Sequence, residues 1–153
     1  MDQVWKTKKH KIMRKIKGNI IHCSATKPSM DIGADEITDW HVKGNGWSNI
    51  GYHYVIRRNG SIETGRDLKK DGAHAKGYNK DTIAICLVGG VNDKGTPQDN
   101  FTPNQFETLN TLVQDVLWRD YTSTECYIKG HNELSNKACP SFDVQEWRQK
   151  VVM

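Results

Sequence analysis

The sequence predicts an α/β (α+β) single domain with a central mixed sheet of about five strands and helices packed on it. Three observations carry that prediction. Short runs with strand character recur along the chain, and Thr82 to Val88 is apolar enough for a buried central strand. Two segments show helical periodicity, and turn residues separate the elements. The length, 153 residues, fits one domain with one sizeable core.

The elements follow in order. Asn19 to Ser24 reads as a short strand that Lys27-Pro28-Ser29 breaks. Asp35 to Lys43 reads as a helix with Ile37, Trp40 and His41 on one face, stopped by Gly44-Asn45-Gly46. Tyr52 to Arg57 alternates as a strand. Asn59-Gly60 is a two-residue hairpin signal, and Ser61 to Thr64 returns. Lys69 to Asn79 is a glycine-bearing loop without a period, and Gly89 to Asn100 is a polar loop. Thr102-Pro103-Asn104-Gln105 opens a helix with a capping box and Pro at its first position. Phe106, Leu109, Leu112, Val113, Val116 and Leu117 form its apolar stripe. Cys126 to Lys129 is a further strand. Asp143 starts a last helix, with Glu146 placed to complete its cap and Trp147 to anchor it.

Composition sets bounds. Hydrophobic residues make up 36% and charged residues 26%, mean hydropathy is −0.73, and no apolar run approaches a membrane span. The basic N-terminus lacks a following apolar stretch, so no secretory signal is expected and the chain is expected to start in the cytoplasm of its host. Cys23, Cys86, Cys126 and Cys139 read as thiols, one or two of them available to a metal. The net charge of +4 is uneven: residues 1–17 hold seven Lys and Arg against Asp2 alone, whereas the rest holds 15 basic and 17 acidic side chains. Residues 1–18 therefore read as a basic arm and 19–153 as the functional domain. Such an arm is either a solvated tail or a binder of polyanions.

Zinc hydrolysis needs three protein ligands and one open position, and imidazole and thiolate suit this metal. His22 ends a strand, His131 follows another, and Cys139 lies eight residues on, in a loop closing on Pro140. The spacing matches no metal-finger pattern. His22 also reads as a core histidine, His131 as a loop residue and Cys139 as a small apolar one. Neighbours on a strand face opposite ways, so only one of His22 and Cys23 can face a given site, and composition leaves that choice open.

Several segments, in order, resemble the phage amidase endolysins. They are Ile21-His22-Cys23-Ser24-Ala25-Thr26-Lys27-Pro28, Gly51-Tyr52-His53-Tyr54, His74-Ala75-Lys76-Gly77-Tyr78-Asn79, Cys86-Leu87-Val88-Gly89-Gly90 and Lys137-Ala138-Cys139-Pro140-Ser141-Phe142-Asp143. The similarity runs from about Ile20 to Trp147. The wider group shares its fold with peptidoglycan recognition proteins. The resemblance implies an amidase/peptidoglycan-recognition-like fold. It also implies one Zn2+ held by His22, His131 and Cys139, with Cys23 pointing away. Tyr52 and Lys137 are then the catalytic residues, and the implied reaction is hydrolysis of the N-acetylmuramoyl-L-alanine amide of peptidoglycan, leading to host lysis. The protein is expected to be a monomer that reaches the wall once the membrane is permeabilised, without binding nucleic acid directly.

Lys137, two residues from Cys139, suits an oxyanion, and Tyr52 suits the attacking water or the tetrahedral intermediate. No carboxylate stands where an H-E-x-x-H base would, and Glu133 is two residues from His131, so Tyr52, Lys137 and the metal are expected to share the work. His74 reads either as a substrate contact or transition-state donor, or as a loop-ordering hydrogen-bond partner. Trp47 and Asn49 border the Gly51-Tyr52 segment and could line a substrate cleft or anchor the core. His53 reads as structural and His41, beside Trp40, as packing.

Two departures from the family stand out. Gly130 precedes His131 where the type member has a second histidine, which should loosen the local backbone. The arm is also more basic than the segment with which that member binds and inhibits its phage RNA polymerase. Polymerase inhibition is one role for the arm. Attachment to lipopolysaccharide or anionic membrane through Trp5, Ile12, Met13 and Ile16 among the lysines is another. The competing functions are a cysteine peptidase using Cys23 or Cys139, a non-catalytic wall-recognition module, and a polymerase-binding regulator.

Overall fold

The computed structural model describes residues 14–117 and 126–151. Trp5, Ile12 and Met13 of the arm lie outside the described residues, as do the side chains of Val116 and Leu117. Among the described residues no helix is long and apolar enough to cross a membrane.

Five strands form one mixed sheet: β1 (Gly18–Cys23), β2 (Tyr54–Ile56), β3 (Ile62–Thr64), β4 (Thr82–Leu87) and β5 (Tyr127–Gly130), in the order β3-β2-β4-β1-β5. β1 runs parallel to β4 and β5, β2 runs parallel to β4, and only β3 is antiparallel. β1 and β4 are buried at every position, as strands covered on both faces must be. One face carries Ile21, Cys23, Ile83, Ile85 and Leu87 against α2 (Pro103–Thr111) and α3 (Val144–Val151); the other carries Val55, Cys86 and Val88 against Ala34 and Ile37 of α1 (Ala34–Asp39).

Most expected elements form, and their differences from expectation have local causes. α1 widens at Trp40 into a π turn (Trp40–Gly44), and there the face carrying Ile37 turns away from the core. Ile37 is 2% exposed but Trp40 is 42% exposed, so Trp40 does not share the buried face that the periodicity predicts. Asn59-Gly60 is not a two-residue turn. Arg57 N–H reaches Ser61 O, Gly60 N–H reaches Arg57 O, and Gly60 takes φ +91°, which makes a three-residue loop ending in a left-handed glycine. β2 begins at Tyr54 rather than Tyr52, although His53 still bonds through its backbone to Ala84 and Gly65 on the neighbouring segments.

The capping box at α2 forms as expected: Thr102 Oγ1 accepts Gln105 N–H, and Gln105 Oε1 accepts Thr102 N–H. Gln105 also donates to the carbonyls of Ile56 and Val88, which fastens α2 to the ends of β2 and of β4's strand. Leu109, Leu112 and Val113 are buried beneath it. Asp143 Oδ1 caps α3 by accepting Glu146 N–H, and Trp147 enters the core.

The end of the predicted arm docks on the body. Ile16 packs against the main core, and Lys17 pairs through its backbone with Asp81 and Tyr127. Arg14 donates to the carbonyls of Leu68, Lys80 and Thr82, bracing the loop before β4. Ile16 is therefore not part of a free amphipathic face.

His53 is structural. It is 1% exposed, its Nδ1 accepts Ala84 N–H, and its Nε2 donates to Lys70 O. Burial pushes its pKa down to about 4, below the ordinary histidine value of 6.5. The unfolded chain binds this proton more readily, so the contribution is complete above pH 6.5 and is lost as pH falls toward 4. Urea unfolding of the metal-free protein should lose roughly 2–3 kcal/mol from this group between neutral pH and pH 4.5, and His53→Gln should remove that share of the loss.

Candidate metal centre and catalytic cleft

His22 and His131 lie at the carboxyl ends of the parallel strands β1 and β5, where a sheet of this kind presents ligands, whereas Tyr52 and His74 come from the segments before β2 and β4. In register, His22 pairs with Cys86 and so faces the α1 side, while Cys23 enters the opposite core. β5 ends at Gly130, beside Ile21, and the short 3-10 turn His131–Glu133 brings His131 next to His22. The loop before Pro140 brings Cys139 to the same point.

The ligand atoms of His22, His131 and Cys139 all lie within 4.8 Å of one another. His22 Nδ1 and Cys139 Sγ are 3.6 Å apart. Tetrahedral bonds of about 2.0–2.1 Å to nitrogen and about 2.3 Å to sulfur require a similar separation, so these donors fit a zinc ion. Burial, followed by the neighbouring imidazoles of His74 and His131, pushes His22 well below the ordinary histidine range. Burial, followed by Lys137, lowers His131. Both rings are thus neutral and able to ligate at pH 7. Cys23 N–H points at Cys139 Sγ from 3.2 Å, a donor suited to a thiolate. Without a metal, the hydrogen bond to the Cys23 thiol and burial push the Cys139 thiol up.

These groups open onto a cleft of about 590 Å³, which Tyr52, His74 and Lys137 also line. The Tyr52 ring lies 5.0 Å from the His22 ring. Burial raises the Tyr52 pKa well above its ordinary value, so the phenol keeps its proton as a donor. Lys137 is exposed on the cleft wall. Trp47 stands at the cleft, 37% exposed, against the His41 ring, whose Nδ1 accepts Gly51 N–H. His41 thus orders the backbone just before Tyr52, a role beyond the packing expected of it. Both nitrogens of His74 are engaged, Nδ1 with His22 Nε2 and Nε2 with Thr82 Oγ1. Thr82 escaped the sequence reading because it looks like an ordinary strand residue.

Glu133 is engaged elsewhere. Its Oε2 accepts Gly130 N–H at 2.7 Å, and Gln145 donates to both its oxygens. Gly130 is not loosened, because its N–H is held and a Cβ there would come within 3.0 Å of both Pro140 Cδ and Val144 Cγ2.

The family model for N-acetylmuramoyl-L-alanine amidase matches residues 13–142. The endolysin of Escherichia phage T7 is 47% identical over 130 residues, covering 85% of this chain and 83% of that one. The endolysin of Enterobacteria phage K11 is 47% identical over 127 residues, covering 83% and 82%. Among solved structures, the endolysin amidase LysCS from Clostridium intestinale superposes with a TM-score of 0.75 at 27% identity, covering 99% of this chain and 92% of that one. Drosophila PGRP-LB superposes with a TM-score of 0.70 at 25% identity, covering 84% and 76%.

A general base contributes about a hundredfold or more, so Glu133→Gln separates capping from catalysis. Amide hydrolysis by Glu133→Gln should stay within about threefold of the parent, while Glu133→Ala should lower stability by about 1 kcal/mol in urea unfolding.

Proposed function

Because this chain belongs to the N-acetylmuramoyl-L-alanine amidase family, we propose that it is an endolysin whose zinc site hydrolyses the bond between N-acetylmuramic acid and L-alanine in peptidoglycan. The observation that carries this reading is the convergence of His22, His131 and Cys139 on one point of a cleft shared with Tyr52 and Lys137. When bound there, Zn2+ would supply Lewis acidity, lowering the pKa of a water and polarising the scissile carbonyl.

The chain's own groups supply the rest. Water's oxygen bonds to the lactyl carbonyl carbon, the carbon–nitrogen bond breaks, and the alanine amine leaves with a proton. The Lys137 ammonium stabilises the negative charge that develops on the carbonyl oxygen. Tyr52, held protonated, donates to the water or to the same developing charge. Trp47 at the cleft offers an apolar face to the sugar or peptide. Among the described residues no carboxylate lines the cleft, which favours a substrate that itself carries carboxylates.

The protein reaches the wall from the host cytoplasm once the membrane is breached. The basic residues before Arg14 suit an anionic envelope surface or a phage RNA polymerase as partner. Removing residues 1–13 keeps Arg14 and its loop contacts, so hydrolysis of purified peptidoglycan should persist while any arm-dependent killing of intact cells falls.

Digested peptidoglycan, analysed by mass spectrometry alongside zinc content, tests the main reading. Free stem peptides with an alanine N-terminus are expected, chelation should abolish their release, and added Zn2+ should restore it. Cleavage elsewhere in the polymer, or activity untouched by chelation, would sink it. Tyr52→Phe and Lys137→Ala should each lower turnover by about a hundredfold or more.

A further inference from the structure

We propose that His74 and Thr82 form a hydrogen-bond relay that fixes the tautomer of His22 and aims its Nδ1 at the metal. The inference rests on the reading of His22 as a ligand. It starts at a backbone carbonyl, which can only accept. Thr82 Oγ1 is 2.7 Å from Tyr78 O and must donate its single proton there. The same oxygen is 3.1 Å from His74 Nε2, so toward that ring it acts as acceptor and Nε2 carries hydrogen. A neutral His74 then has a bare Nδ1. That atom lies 2.7 Å from His22 Nε2, so His22 is the donor and its Nε2 carries hydrogen. His22 Nδ1 is left bare, and it is the nitrogen that faces Cys139 Sγ at 3.6 Å.

Each link is held in place. Thr82 is fully buried at the start of β4, in register with Gly18 of β1. Asn79 Oδ1 accepts the backbone N–H groups of His74 and Ala75, which fixes the loop beneath the ring. The alternative order of protons fails. With hydrogen on His74 Nδ1, the ring would need His22 Nε2 as its acceptor, and a neutral His22 would then direct an N–H at the metal position. His74 is therefore a positioning residue, taking the place that a carboxylate or backbone carbonyl often takes behind a ligating histidine.

Two measurements test the relay. Long-range proton–nitrogen correlation spectra of the metal-free parent, labelled in histidine, should report the Nε2–H form for both His22 and His74. The Nδ1–H form at His74 would overturn the proposal. In competition with a chromogenic chelator, His74→Ala and Thr82→Val should weaken Zn2+ binding about ten- to a hundredfold. Thr82→Ser, which keeps the hydroxyl, should bind as the parent does. Parent-like zinc affinity in both His74→Ala and Thr82→Val, or a higher KM for peptidoglycan fragments with zinc affinity unchanged, would make His74 a substrate contact and refute the relay. A parent that binds no Zn2+ would instead remove the metal reading and the relay with it. If the substitutions unfold the chain, the parent's tautomers still decide the matter.

Discussion

Strand β1 is paired on both edges, with β4 and β5, and buried on both faces. Such a strand has little freedom, because shifting it by one residue would exchange every side chain between the two cores. His22 sits one residue from its carboxyl end and inherits that rigidity. The other site groups are placed against it. β5 delivers His131 through its own pairing with β1, Cys23 N–H meets Cys139 Sγ, and the loop before β4 delivers His74. A parallel sheet thus acts as the jig for a site whose other members come from loops.

The electrostatics of the cleft follow from burial. Burial and neighbouring imidazoles push the pKa values of His22 and His74 below the ordinary histidine value, which favours ligation over charge. His74 is pushed down to about 3, mainly by burial. Lys137 is an exposed cation among them, and no carboxylate stands beside it among the described lining residues. A carboxylate general base is thus missing from the cleft wall, and the nearby candidate, Glu133, is occupied in capping the turn that presents His131. The proposed reaction therefore assigns proton handling and charge stabilisation to the Tyr52 phenol and the Lys137 ammonium rather than to a carboxylate.

The loop from Gly65 to Asp81 links the arm to the site. Arg14 braces its carbonyls from outside, and His74 reaches the ligand from inside. Arg14 is thus connected through this loop to the imidazole that meets His22.

Much of this was legible in the chain itself. The capping box at Thr102, the strand character of β1, the apolar run of β4 and the donor types at His22, His131 and Cys139 are local properties, written within a few neighbouring residues. Tertiary structure settled what depends on distant ones. Alternation says that His22 and Cys23 face opposite ways, but only the helices covering each face decide which of them meets the cleft. Helical spacing grouped Trp40 with Ile37, and a π turn separated them. The sequence placed Glu133 near a ligand, and the amide of Gly130 claimed it. Thr82 carried no signal, because a hydroxyl in a strand gains its meaning only from the imidazole that a loop folds against it.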